Sequence, residues 1–171
     1  NKEISNVKKI CKKAIKAIKL DNGIVYPQIM MTGKNKFELL EIASRLPGGF
    51  MREMSLMVSG IDPIEFLLKK MTGQKKVLKK IKKAKKYKAV YIKFFTKLDF
   101  INKKFIKKIE NIDKAKNSKG VYKFFFKENF SIPKLKLSRD RFGAIIVFGE
   151  NTNDSVKNYK KALNKVKFIT N

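Results

Sequence analysis

Histidine and tryptophan are absent from the 171 residues, and cysteine occurs once, at Cys11. Such a chain cannot assemble a His-based triad or a Cys/His zinc site, and no disulfide can form within it. No apolar run reaches the roughly 18 residues that would suggest a membrane span. No signal peptide is visible either, so a reducing cytoplasm is the expected compartment. Acidic residues are few, 14 against 42 basic ones, for a net charge of +28. Arginine is the least expected scarcity: of the 42 basic residues only four are Arg, at positions 45, 52, 139 and 141.

A charge of +28 invites a nucleic-acid reading, because cations that neutralise phosphates gain affinity through counterion release. The kind of base argues against it. Lys, Asn, Ile and Phe are abundant together, the pattern AT-rich codons impose. Arg, the better bidentate ligand for phosphates and base edges, is rare. Nucleic acid is therefore not the expected partner, and no membrane partner is expected. The rival of a different class is a Lys-rich binding module, with a basic helix at 74–88 and Phe94, Phe95, Phe124, Phe125 and Phe126 as stacking platforms. A hydrophobic content of 43% is ordinary for a globular protein and argues against disorder.

Periodicity organises the chain. Residues 3–19 place Ile4, Val7, Ile10, Cys11, Ala14, Ile15 and Ile18 on one helical stripe. "IVYPQIMM" and "KFELLEIA" read as a β-hairpin joined by "TGKN", with Pro27 marking an edge. "FMREMSLMVSG" and "DPIEFLLKKMTG" read as short helices, the second capped by Asp62 with Pro63 in its first turn. Beyond the lysine-rich 74–88 the period becomes two. Strands are expected at 88–97, 103–111 and 120–128 and at "GAIIVFG". A helix over 153–166, with Asp154 as cap, and a "KFIT" strand follow. The fold class is α+β. The expected divisions are 1–74, a basic helix or connector at 75–87, and a β-rich unit at 88–171.

Chemistry concentrates in "FELLEIASRLPGG". With Thr32 opposite Asn35, Gln28 and Glu41 fall diagonally adjacent on one face of the hairpin, close enough to converge on one ion. A carboxylate and an amide oxygen suit Mg²⁺, which binds through one or two protein oxygens plus phosphates and waters. Arg45 leaves the strand four residues later, where a planar cation could meet a phosphoryl group. Gly48 and Gly49 carry no side chains, so their N–H groups could approach an anion.

On these residues the sequence becomes familiar. "FELLEIASRLPGG" followed by "MVSGIDPIEFLLKKMTG" resembles the C-terminal lobe of ATP-grasp enzymes, and "GIVYPQIMMTGKNKF" resembles its partner strand. The resemblance implies a helix, a hairpin and helices, followed by a small β-rich subdomain closed by a helix. It implies Glu41 as a ligand of Mg²⁺ (or Mn²⁺) that serves ATP, and Gln28 as the second ligand. Arg45 becomes the catalytic residue that stabilises the transferred phosphoryl group, with Gly48 and Gly49 in the substrate loop. Many relatives carry Asn as a further ligand two residues after the Glu; this chain has Ala43. "EIASR" is similar to the pattern of L-amino-acid ligase-like members. "SRDRFGAIIVFGENTNDSVKNYKKALNKVKFI" resembles the end of their last subdomain, where Arg141 and Gly143 match with structural roles expected.

The implied activity is ATP-dependent ligation of a small carboxylate to an amine through an acyl phosphate. A carboxylase or a carbamoyl-phosphate-synthase-like protein is the alternative. The nucleotide-binding lysines and Gly-rich loop of the first lobe are not in this chain, which begins at Asn1 inside a helical pattern. The expectation is the C-terminal part of a longer enzyme, its missing lobe supplied in cis or in trans, and a piece inactive alone.

Overall fold

The computed structural model describes residues 2–81 and 84–171. The chain divides into two compact units, residues 1–86 and 87–171.

The first unit opens with α1, Lys2–Ala17. Val7, Ile10, Cys11, Ala14 and Ile15 are half-buried, and the helix lies against the second strand of a hairpin. Ile4 and Ile18, expected on the same stripe, are exposed instead. The hairpin pairs β1, Tyr26–Gly33, antiparallel with β2, Lys36–Ala43. Its two-residue turn, Lys34–Asn35, puts Asn35 at φ 59°, a left-handed conformation Asn tolerates. Two helices follow, α2 at Met51–Ser59 and α3 at Pro63–Met71. As expected, Asp62 caps α3 by accepting from the Ile64 N–H at 2.9 Å, with Pro63 in the first turn. The basic helix expected at 74–88 is a single turn, α4, Val77–Lys80, after which Ile81 is extended. Residues 82 and 83 of that segment lie outside the described residues. Val77 and Ile81 are buried, so this stretch is not a wholly solvated face.

The second unit is built on two three-stranded antiparallel sheets. One has the order β3 (Ala89–Phe95), β7 (Gly143–Gly149), β5 (Val121–Phe126). The other runs β6 (Phe130–Ser131), β4 (Phe105–Glu110), β8 (Lys167–Thr170). The short helix α5, Ile112–Lys116, and the longer α6, Thr152–Leu163, pack on β5 and on β7 and β3 respectively. Neither α5 nor the 3-10 turn at Lys97–Phe100 had an apolar period long enough to announce it. The cap of α6 is Asn151, which accepts from the Asp154 N–H at 2.9 Å; Asp154 sits in the first turn and accepts from the Glu150 N–H at 3.0 Å.

Alternation explains the phenylalanine runs. Phe95, Phe124 and Phe126 point into the core, where they meet Phe100, Phe142 and Phe168 with ring centroids 5.0–6.1 Å apart. Successive strand residues face opposite sides. Phe94 therefore lies on the other face, under the Arg141 guanidinium at 4.3 Å, and Phe125 is partly exposed. Gly143 is required by packing: a Cβ there would sit 2.6 Å from the Phe126 ring.

Candidate functional site

Two bulges set the geometry of the hairpin's polar face. Pairing runs Tyr26 with Ala43, Pro27 with Ile42 and Gln28 with Glu41, then slips by one so that Ile29 meets Leu39. A second slip near the turn leaves Thr32 as the extra residue of β1. The diagonal placement expected from a regular register is therefore corrected. Gln28 and Glu41 are directly opposite each other, and the Gln28 Nε2 donates to Glu41 Oε2 at 3.3 Å. Each bulge inserts a residue that no alternation pattern reveals. The Leu40 bulge leaves both Leu40 and Glu41 exposed.

The pair lies on one polar strip with a second acid. Thr32 Oγ1 donates to Glu38 Oε1 at 3.3 Å, and Glu38 pairs with Met30. Among the described residues no three of His, Cys, Asp and Glu gather at metal-binding spacing. The donor set still fits a hard cation of the Mg²⁺ type. Rotating the Gln28 amide by half a turn replaces its N–H₂ with its oxygen, giving one anionic and one neutral oxygen on facing residues. Both are exposed, leaving room for waters and phosphate oxygens to complete the shell.

The structure does not bring Arg45 to this pair. Arg45 lies beyond the end of β2, donates from Nη1 to the Leu46 carbonyl at 3.1 Å, and lines a separate cleft with Lys70 of α3. Gly48 and Gly49 follow in an exposed turn that leads through Phe50, at φ 65°, into α2. Gly49 itself has φ 65°, a conformation that favours glycine. A Cβ on Gly48 would meet nothing within 4 Å, so this face of the turn is open.

The second arginine of the segment is occupied elsewhere. Arg52 holds Asp62 through two bonds, Nε to Oδ1 at 3.1 Å and Nη2 to Oδ2 at 2.5 Å. The same carboxylate caps α3, so one bidentate pair ties α2 to the start of α3. The Arg52 hydrogen bond, reinforced by the Ile64 N–H, holds the Asp62 carboxyl below its ordinary value of 3.8 although burial pulls the other way.

The Lys-rich alternative keeps one of its five aromatic platforms exposed, Phe125. Phe95 and Phe124 are 2% and 3% exposed, Phe126 packs on the core, and Phe94 is under Arg141. No helix of the described residues is long and apolar enough to cross a membrane.

No protein-family model matches the chain, and a search of curated proteins found no match. Among the solved structures that match the chain are two that align over almost its whole length. One is phosphoribosylglycinamide synthetase from Anaerococcus prevotii, with a TM-score of 0.80, 22% identity and 99% of this chain covered. The other is L-amino acid ligase from Bacillus licheniformis, with a TM-score of 0.76, 12% identity and 100% covered. Over the matched length the chain has the fold of these two proteins, the ATP-grasp fold that its sequence resembles. This chain accounts for 42% of the length of each of those two chains. Its α+β architecture, with helices set on antiparallel sheets, agrees with the architecture its sequence implied.

Proposed function

We propose that this chain is part of an ATP-dependent ligase that activates a small carboxylate as an acyl phosphate and passes it to an amine. The observation that carries the reading is the Gln28–Glu41 contact on an exposed hairpin face, in a fold shared with two ligases.

Such chemistry must neutralise and align highly charged oxygens. The substrate carboxylate attacks the γ-phosphorus of ATP, the bond to the bridging oxygen breaks, and ADP leaves. The amine then attacks the acyl carbon and phosphate departs, with the amine proton lost to solvent or a base. Glu41 and Gln28 are the residues that would hold Mg²⁺ (or Mn²⁺), which neutralises phosphate oxygens when bound. Arg45, once released from the Leu46 carbonyl, is a planar donor fork suited to a phosphoryl group in transfer. The open space beside Gly48 leaves room for an anion to approach the backbone of the Gly48–Gly49 turn. A bicarbonate acceptor or donor, as in carboxylases or carbamoyl-phosphate synthesis, would use the same residues. Nucleotide grip is assigned to a further lobe, in the same chain or a partner, and the reaction to the cytoplasm.

The test reads Mn²⁺ binding to the 171-residue chain by paramagnetic broadening of amide resonances. Broadening centred on Gln28 and Glu41, lost in Glu41→Gln, is the expected result. Broadening that ignores the substitution would remove the metal assignment.

A further inference from the structure

The Lys-rich stretch is a sequence feature that the ligase chemistry leaves unused. Nine of the fifteen residues 74–88 are Lys, and no Asp or Glu lies between Glu65 and Asp99. A chain-wide bias toward Lys spreads base along the sequence; it does not gather base beside an apolar groove. The turn after α3 fixes where the stretch begins. Thr72 Oγ1 donates to the Leu68 carbonyl at 3.0 Å, and the Gly73 N–H donates to the Lys70 carbonyl at 3.2 Å with Gly73 at φ 76°. The single turn α4 then packs against α3.

Residues of both helices line a groove of about 290 Å³. Its apolar part is Phe66, half-buried, with Val77, 4% exposed, and Leu78, 57% exposed. Its charged part is Lys70, Lys76 and Lys79, all exposed and none paired with a carboxylate among the described residues. Lys69 differs, being neutralised by Glu65 at 2.6 Å.

Like charges around one groove repel each other, and an anionic partner turns that repulsion into attraction. The hydrocarbon decides which kind of anion fits. Nucleic acid is best held by guanidinium forks and exposed rings, whereas residues 66–98 contain no Arg and Phe66 is half-buried. A helix carrying carboxylates and apolar side chains at helical spacing matches both parts of the groove.

We propose that the groove between α3 and α4 docks an acidic amphipathic helix of a partner protein. Its apolar side chains rest on Phe66, Val77 and Leu78, and its carboxylates meet Lys70, Lys76 and Lys79. The site shares no residue with the Gln28–Glu41 pair or with Arg45, so it stands or falls apart from the ligase reading.

The test is fluorescence anisotropy on the 171-residue chain at about 150 mM salt. The probes are a labelled peptide of about 14 residues with Glu and Leu at helical spacing, the same peptide with every Leu replaced by Gln, and a single-stranded oligonucleotide of equal charge. Saturable binding of the Leu-containing peptide is expected, with the Leu-free peptide weaker by about tenfold. Leu78→Ser and the pair Lys76→Gln with Lys79→Gln are each expected to weaken it by about five- to tenfold. The pair Lys134→Gln with Lys136→Gln, of equal charge change in the second unit, is expected to leave it unchanged. Leu78, Lys76 and Lys79 are exposed, so these variants are expected to keep the wild-type far-UV circular dichroism. Equal binding of the two peptides would overturn the proposal, because charge alone would then account for it. An oligonucleotide that binds more tightly than the Leu-containing peptide would overturn it too, as would equal losses from the two lysine pairs.

Discussion

Among the four arginines, three have contrasting surroundings. Arg52 is committed to Asp62, Arg141 covers Phe94, and Arg45 makes one bond to a neighbouring carbonyl. A guanidinium in a bidentate pair is already spoken for, whereas one resting on a single carbonyl can exchange it for a ligand at small cost. Arg45 is therefore the arginine on which the proposed ligase activity should depend, together with Glu41. Under the proposed ligase reading, Glu41→Ala in the full-length protein is expected to lower ATP-dependent phosphate release by about a hundredfold or more, and near wild-type turnover would overturn the proposed metal role. Asp62 should show up in stability instead. Its carboxyl is held below 3.8, so its contribution is fully present above that value and is lost as pH falls through the folded-state value. The gap in melting temperature between wild type and Asp62→Asn should therefore close as pH drops below 3.8. A gap that stays constant would mean the Arg52 pair adds nothing. Above that range, Asp62→Ala also removes the α3 cap and is expected to cost about 1–2 kcal/mol in chemical denaturation.

At the scale of elements, the strands divide their side chains cleanly and the bulges do not follow. Runs such as "FF" and "FFF" look like exposed platforms only if the period of two is ignored; applied to β3 and β5, it sends Phe95, Phe124 and Phe126 inward and the intervening residues outward. Gly143 belongs to the same packing. A methyl added there would have the Phe126 ring and the Phe125 carbonyl within 3.0 Å, and the carbonyl is backbone that cannot swing aside. Gly143→Ala is expected to destabilise by about 1–3 kcal/mol, seen as a lower urea midpoint with unchanged slope. The hairpin teaches the opposite lesson. Its existence, its two strands and its acid are readable from "IVYPQIMM" and "KFELLEIA". The slip between Gln28 and Ile29 is not, because a bulge is decided by which side chains pack underneath rather than by local propensity.

For the whole molecule, the core is unequally shared. The large aromatic cluster lies entirely within residues 87–171, where two sheets and α6 close around it. The described residues of the first unit bury few large side chains, chiefly Met57, Val77 and Ile81, and expose Met30, Met31, Leu40, Leu68 and Met71. Burial of apolar surface is the main favourable term in folding, so the halves should differ when separated. Residues 87–171 expressed alone are expected to unfold cooperatively with native-like near-UV circular dichroism. Residues 1–86 alone are expected to lack a sharp transition. A cooperative melt of the first half by itself would count against this account. With a net charge of +28, the intact chain should also gain melting temperature as salt rises from about 10 to 150 mM, because screening relieves self-repulsion.

By themselves, the residues determined which functions are excluded, where periods of two and 3.6 run, the Asp62 cap, and that a carboxylate and a guanidinium leave one strand together. These are local properties, set by side-chain chemistry and by spacing along the chain. Only the tertiary structure decided that Gln28 faces Glu41 directly, that Arg52 is tied to Asp62 while Arg45 is not, and that Lys70 reaches the Arg45 cleft from α3. Each of those is a meeting of separate elements, fixed by packing that no single element encodes.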